Sequence, residues 1–178
     1  MLNIRIICVG KFKEKYWEAA SAEYMKRLGA YCSVSVTEVK EEKLPAHASR
    51  ADEENVIVKE EKLPAHASRA DEENVIVKEG KSILDKIGAG DHVIALDIGG
   101  RELSSEDLAA KIAEISFTSS TIDFIIGGSL GLSREVKQRA SLRLSFGKIT
   151  LPHQLARIVL LEQIYRAFKI NAGETYHK

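Results

Sequence analysis

The amino-acid sequence predicts a single α/β domain, residues 1–178, with a largely parallel sheet. Short apolar runs typical of strands buried on both faces alternate along the chain with stretches of helical periodicity. Glycine turns follow several of these apolar runs. Parallel strands need long crossover connections, and helices usually provide them, so this alternation favours a sheet with helices packed on its faces.

The first part of the chain contains two predicted strands around one helix. Residues 3–9 form an apolar run that ends at Gly10, which indicates a strand followed by a turn. Residues 13–28 carry an apolar stripe at helical spacing, and Gly29 closes it. Residues 31–39 alternate apolar and polar side chains, so we expect a half-buried strand there.

An exact tandem duplication follows, because residues 42–60 and 61–79 are the same 19 residues. Two copies do not form a solenoid, which needs about three repeats. Each copy begins as a loop and ends in a helix-competent stretch, and 19 extra residues would rotate a continuing helical stripe by roughly 100°. We therefore expect one copy to be looped out, disordered or an artefact of the sequence. His47 and His66 are expected to be surface loop residues.

The second half alternates helix and strand again. A helix is expected to finish over residues 82–87, and a strand over residues 92–98 to end at Gly99-Gly100. Further elements are predicted as a helix over 106–115 capped by Ser104 or Ser105, a strand over 121–126 that runs into the glycine turn 127–131, a short helix capped by Ser133, a short strand over 142–146, and a long helix from Pro152 to about Ile170.

Composition narrows the class of protein. The chain has no net charge, but residues 134–178 carry nine Lys or Arg against three acids. This excess of positive charge is what binding to a polyanion would require, and it is equally typical of a solvated helix face. Cys8 and Cys32 have no partner at metal-ligand spacing, so we expect reduced core residues. No apolar run approaches the roughly 18 residues that cross a bilayer, and no secretory signal is seen. These features predict a cytoplasmic protein without a metal or membrane anchor.

The glycine turns lack the motifs of several enzyme classes. The turn after residue 126 has no Gly-Lys-Ser/Thr, it is not G-x-G-x-x-G, and no G-x-S-x-G occurs in the chain. The chain therefore lacks the motifs that would indicate a hydrolase, a kinase or a dinucleotide-dependent oxidoreductase. In parallel sheets ligands bind at the carboxyl ends of strands, so a small ligand recognised by backbone groups remains possible.

The predicted last helix is apolar on more than one side. Such a helix either has one surface for its own sheet and another for a second subunit, or is sandwiched within its own domain. The tail that follows ends in Tyr176-His177-Lys178. These side chains could contact RNA or transfer protons, although fraying is the default for a terminus.

Several motifs resemble one family, the bacterial large-subunit ribosomal RNA pseudouridine N3-methyltransferases of the SPOUT class. The resemblance covers the whole chain except one copy of the duplication. It is carried by Gly10–Trp17, Glu23–Leu28, Phe124–Ser133, Leu144–Gln154, Glu162–Ile170 and Tyr176–Lys178.

The resemblance implies a fold, a cofactor and a partner. The C-terminal part of the sheet would be tied in a trefoil knot, and the protein would be a homodimer whose partner helps to complete the site. S-adenosylmethionine would lie in the knot in a bent form, held by backbone groups of Leu96, Gly127, Phe146, Gly147, Lys148, Ile149, Thr150 and Leu151. No metal would be required.

The implied reaction is methylation of N3 of a pseudouridine in 23S ribosomal RNA, on assembled ribosomes. N3 is an imide nitrogen that must lose its proton, so a general base or a water relay is needed. We expect His177 to handle the proton and Tyr176 to position or stack the base. Arg157 and Arg166 are expected to meet phosphates, whereas His153 is expected to order its loop. The alternatives are another RNA target, such as transfer RNA, and a non-catalytic protein that binds RNA or the ribosome.

Overall fold

Five strands alternate with five helices in the computed structural model, which describes residues 1–44 and 68–176. Their bounds are β1 Asn3–Val9, α1 Lys15–Leu28, β2 Ser33–Val39, α2 Arg69–Leu84, β3 His92–Glu102, α3 Ser105–Ser116, β4 Thr121–Ile126, α4 Arg134–Arg139, β5 Leu142–Ser145 and α5 His153–Asn171. This order confirms the alternation that the sequence predicts.

The strands form one sheet in the order β2-β1-β4-β3-β5, and each pair of neighbours is parallel. One face is covered by α1, α3 and α5, whose buried side chains join the cluster that contains Phe124 and Leu160. The other face is covered by α2 and α4, around Ile125 and Val136. The α/β class with a parallel sheet is thereby confirmed, while the trefoil knot stays a prediction.

Local sequence signals place several element boundaries. The Ser104 hydroxyl accepts a hydrogen bond from the Asp107 backbone N–H at 3.1 Å. The Asp107 carboxylate in turn accepts one from the Ser104 backbone N–H, so the two residues form a capping box. The Ser133 hydroxyl likewise accepts from the Val136 N–H at 3.3 Å. Pro152 precedes α5, as expected. No helix in the described part of the chain is both long and apolar enough to span a membrane.

Strand β3 differs from the expectation that Gly99-Gly100 ends it. The strand continues to Glu102, because it pairs with β5 a second time after an irregularity between Leu96 and Arg101. A side chain at Gly100 would not fit there, since its Cβ would lie 2.6 Å from the Arg143 carbonyl oxygen. Gly100 therefore permits a close approach of two strands and does not form a turn.

Helix α2 begins inside the second copy of the duplication. Ser68 caps it, and it runs beyond the last repeated residue, Glu79, to Leu84. Gly80 packs closely against Ser133, the residue that caps α4. A Cβ at position 80 would lie 2.3 Å from the Ser133 Oγ. The predictions for the loop and helix of the first copy, and for His47 and His66, fall mostly or wholly outside the described residues.

Candidate functional site

Segments that the resemblance assigns to the cofactor meet where β4 and β5 end and where β3 stops pairing with β4. Leu96 directly follows the last β3 residue paired with β4, and Gly127 directly follows β4. Phe146 directly follows β5, whose Leu144 is opposite Leu96. Since β4, β3 and β5 are adjacent, these three segments lie along one edge of the sheet, where parallel sheets bind ligands.

The turn after β4 folds back tightly on itself. The Gly131 N–H donates to the Gly128 carbonyl oxygen at 3.0 Å, and the two residues form an isolated bridge. Gly131 has a φ of 86°, which favours glycine. A Cβ at Gly127 would lie 2.8 Å from the Gly131 carbonyl oxygen. The turn therefore brings bare backbone to the edge of the sheet, as a ligand recognised by backbone groups requires.

The segment between β5 and α5 is held at its start and open further on. The Ser145 hydroxyl accepts from the Gly147 N–H at 3.1 Å, and Gly147 has a φ of 103°. Lys148, Ile149 and Thr150 are exposed. An exposed apolar side chain such as Ile149 in this place is available to a ligand or to a second protein surface.

A pocket of about 280 Å³ lies beside this segment, between α3, α5 and the end of β3. Its lining combines apolar and polar groups, including Leu103, Leu108, Phe146, Gly147, Val159 and Gln163. The volume is just under the roughly 300–1,000 Å³ of small-molecule sites. The pocket includes two of the residues predicted to bind cofactor, whereas Leu96 and Gly127 do not line it.

Glu79 is a buried acid that the sequence analysis missed. Only 3% of the residue is exposed, and its Oε1 accepts from the Glu42 backbone N–H at 3.0 Å. Its Oε2 has no hydrogen-bond partner among the residues that the structure describes, and a Cβ at Gly128 would lie 2.8 Å from that oxygen. The carboxyl group therefore packs directly against the turn after β4.

Burial raises the pKa of the Glu79 carboxyl, and the charges of Glu41 and Glu42 raise it further. A sequence signal existed, because Glu79 lies in the apolar stripe of α2 with Val75 and Ile83, each four residues away. An acid at such a position faces the sheet and needs an explanation. Here the acid packs against the glycine turn, where burial makes the charged form of its carboxyl group more costly and raises its pKa.

Replacing Glu79 with glutamine is expected to stabilise the protein at pH 8. Since the folded-state pKa is raised, stability is lost as pH rises through that pKa, and a neutral amide avoids the loss. The advantage of the variant should shrink as pH falls toward the ordinary range of a carboxyl. Thermal melts across this pH range measure it, with Glu73→Gln on the exposed side of α2 as the control. The expectation would be contradicted if the wild type melted at a higher temperature than Glu79→Gln and if this difference in melting temperature grew as pH rose.

Arg157 is not where an RNA contact requires it to be. The residue is 1% exposed, and its guanidinium donates to the Glu38 carboxylate at 2.8 Å and to the Gly10 carbonyl oxygen at 3.0 Å. The guanidinium also lies 4.0 Å from the centroid of the Phe12 ring. Arg157 thus ties the start of α5 to the ends of β1 and β2, and this burial corrects the expectation that it meets a phosphate.

His153 lies against the same turn after β1. Its Nε2 is 3.4 Å from where a Cβ of Gly10 would be. The first residue of α5 therefore packs on the β1 turn, to which the buried guanidinium of Arg157 also donates a hydrogen bond.

The tail packs back on α5 as far as it is described. The rings of Tyr165 and Tyr176 are edge-to-face at 5.0 Å, and the Arg166 guanidinium lies 4.8 Å from the Tyr176 centroid. Arg166 is partly exposed and forms an ion pair with Glu162 at 2.6 Å. The Tyr31 hydroxyl donates to Glu174 at 2.7 Å. His177, the predicted proton acceptor, lies outside the described residues.

Candidate metal ligands do not cluster in this part of the molecule. Across residues 1–44 and 68–176, no group of three or more His, Cys, Asp or Glu side chains is arranged to hold a metal ion. The side chains of Cys8 and Cys32 are buried as free thiols, and burial raises their pKa values to about 12 and about 11. Neither thiol is therefore activated at neutral pH.

Comparison with known proteins shows which family the chain is similar to. A family model described as "Predicted SPOUT methyltransferase" matches residues 2–177. The chain is 50% identical over 179 residues to ribosomal RNA large subunit methyltransferase H of Oenococcus oeni, with 100% of each chain covered. It is 51% identical over 178 residues to the protein of the same name from Bacillus cereus, with 99% of this chain and 100% of the relative covered.

One solved structure supports the fold alone. A probable methylase family protein from Haemophilus influenzae Rd KW20 superimposes with a TM-score of 0.52 at 14% identity. The match covers 99% of this chain and 71% of that protein.

Proposed function

The chain belongs to the SPOUT methyltransferase family, and from this premise we propose that it methylates N3 of a pseudouridine in large-subunit ribosomal RNA with S-adenosylmethionine. The observation that carries the proposal is the similarity along the whole chain to methyltransferases that act on this RNA. The meeting of Leu96, Gly127 and Phe146 at neighbouring strand ends supports it. The protein is an enzyme, and its reaction needs a methyl donor.

The strand-end segments fit a methyl donor bound through backbone groups. Gly127 leaves no room for a side chain, and a Cβ at Gly147 would meet no atom within 4 Å in the part of the chain that the structure describes. We propose that Leu96, Gly127 and the segment from Phe146 to Leu151 hold the donor through their N–H and C=O groups. When bound, S-adenosylmethionine supplies a methyl group on a positively charged sulfur, which a nitrogen nucleophile can attack in line.

The protein must then remove the N3 proton and hold the base. The Tyr176 ring offers a flat surface on which an unstacked base can lie. His177 follows it directly, and a neutral imidazole is a suitable proton acceptor near pH 7. We propose that His177 accepts the N3 proton and that Tyr176 positions the base.

A second copy of the chain is proposed to supply this tail. Tyr176 packs on Tyr165, which lies about three turns, or roughly 18 Å, along α5 from the end of the proposed donor segment. Leu155, Ile158 and Val159 of α5 remain partly exposed. A partner packed on this apolar surface would bury it and could place its own tail at the donor segment, so we propose a homodimer with shared sites.

The test incubates the protein with labelled S-adenosylmethionine and whole ribosomes, free ribosomal RNA or transfer RNA, and then maps the methylated nucleoside. We expect the label at N3 of a pseudouridine of the large subunit, with ribosomes as the best substrate. Labelling of transfer RNA alone would refute the substrate. Calorimetry that detects no binding at millimolar S-adenosylmethionine would refute the enzyme and favour an RNA-binding role.

Replacing Gly127 with alanine is expected to weaken donor binding about 10-fold to 100-fold. The added Cβ would meet the Gly131 carbonyl oxygen at 2.8 Å, so the turn must shift at a cost of roughly 1–3 kcal/mol. Calorimetry with S-adenosylmethionine measures the change. Gly99→Ala is the matched control, because a Cβ at Gly99 meets no atom of the described residues within 4 Å. Equal affinities for the two variants would remove the turn from the donor site.

A further inference from the structure

A basic groove lies between α4 and the start of β5. Its lining consists of Leu132, Arg134, Lys137, Gln138 and Arg143, and its volume is about 470 Å³. The groove offers three cationic side chains and one amide. Glu135 is also exposed on α4, but it does not line the groove.

One acid serves two of the three cations. The Asp97 carboxylate contacts the Lys137 ammonium at 3.3 Å and the Arg143 guanidinium at 3.2 Å, and only 8% of the Asp97 side chain is exposed. Arg134 is exposed and forms no ion pair with the residues that the structure describes. The groove therefore keeps a net positive charge of about two, and most of its N–H donors remain free for a ligand.

The groove adjoins the proposed donor site. Leu132, at its base, directly follows Gly131 of the turn after β4. Asp97, which holds two of the cations, directly follows Leu96. A polyanion lying in the groove would thus pass within a few residues of both strand ends that are proposed to hold the methyl donor.

We propose that the basic groove binds the phosphate backbone of the substrate RNA close to the reacting nucleotide. Cationic side chains that meet phosphates fix the register of a nucleic acid without reading its sequence, and arginine does this with paired N–H donors. Of the two arginines that the sequence leads us to expect at phosphates, Arg157 is buried, so the RNA backbone needs another cationic surface. This inference rests on the proposed function and names the surface through which its substrate is held.

The test compares wild type with an Arg134→Gln/Arg143→Gln double variant. RNA binding to a protein-free ribosomal RNA fragment is measured by fluorescence anisotropy over a range of salt, and methylation kinetics are measured on ribosomes. We expect KM for RNA to rise about 10-fold with kcat within twofold, and the slope of log affinity against log salt to fall by about 2. Affinity for S-adenosylmethionine should not change.

Two control variants sharpen the result. Lys86→Gln removes an exposed cation near the amino ends of the strands, and it should leave KM and the salt slope as in wild type. Arg134→Lys/Arg143→Lys keeps the charge and should restore the salt slope. An unchanged KM and slope in the glutamine variant would overturn the proposal.

The remaining outcomes separate this inference from the proposed function. A loss of binding to ribosomes with normal binding to the protein-free RNA would assign the groove to an acidic protein surface and overturn the RNA assignment. If wild type transfers no methyl group to ribosomal RNA, the proposed function fails. The anisotropy series then tests by itself whether the groove binds RNA. If the glutamine variant keeps the wild-type salt slope, the groove does not bind the RNA backbone.

Discussion

Replacing Arg157 with alanine is expected to lower the free energy of unfolding by about 2–4 kcal/mol, because it removes a side chain that is only 1% exposed and leaves the buried Gly10 carbonyl without its partner. The buried guanidinium joins the start of α5 to the ends of β1 and β2 through Gly10 and the partly exposed Glu38 side chain. It also covers the Phe12 ring. Denaturant unfolding followed by circular dichroism measures the loss.

Arg166→Ala is the matched control, since the same helix carries it and the same RNA role was expected of it. Its ion pair with Glu162 is partly exposed and four residues apart, so its loss should cost under about 1 kcal/mol. Similar small losses in both variants would contradict the structural role of Arg157. A normal stability with weakened RNA binding in Arg157→Ala would return that residue to the RNA surface.

Truncation after Gly173 is expected to lower turnover at least about 100-fold while donor affinity stays within a few-fold of wild type. General acid–base catalysis contributes roughly 10²–10⁴, and the deletion removes the proposed proton acceptor together with Tyr176. Single-turnover methylation and calorimetry separate the two effects. Glu174→Gln is the control, because it weakens the contacts of the tail with Tyr31 and Lys169 and keeps the last four residues.

Mixed dimers test whether the tail comes from the partner. A truncated subunit has an intact donor segment, and a Gly127→Ala subunit has an intact tail. If sites are shared, mixing the two proteins at a donor concentration that saturates wild type but not Gly127→Ala should restore about a quarter of the activity by simple pairing. No restoration after verified subunit exchange would place the tail at the donor segment of its own chain. Unchanged turnover after truncation would discard Tyr176 and His177.

Local signals determined those parts of the fold that the sequence predicts well. The apolar run of β4 has its predicted bounds, and the hydroxyls of Ser104 and Ser133 cap α3 and α4 as their positions before acids and apolar residues indicate. These features depend on a few consecutive residues. The strand order, by contrast, depends on which distant strands pair, and no local pattern encodes it.

The misjudged residues share a dependence on distant partners. Gly99-Gly100 looks like a turn in isolation, and only the approach of Arg143 converts it into strand. Arg157 looks like an exposed helix cation until Glu38, more than 100 residues away, accounts for its charge. Likewise Glu79 could be recognised as buried from its stripe, but its contact with Gly128 requires the fold.

Gly80 helps to decide which of two identical segments can form α2. The copies end at Glu60 and Glu79 and share the cap and the stripe up to that glutamate, but Glu61 and then Pro64 follow the first copy, where Gly80 and the buried Ile83 follow the second. Since even a Cβ at position 80 would lie 2.3 Å from the Ser133 Oγ, a glutamate side chain in that place is excluded. The residues that follow the repeat thus select between two competing registers, and Gly80 contributes to that selection through its lack of a side chain.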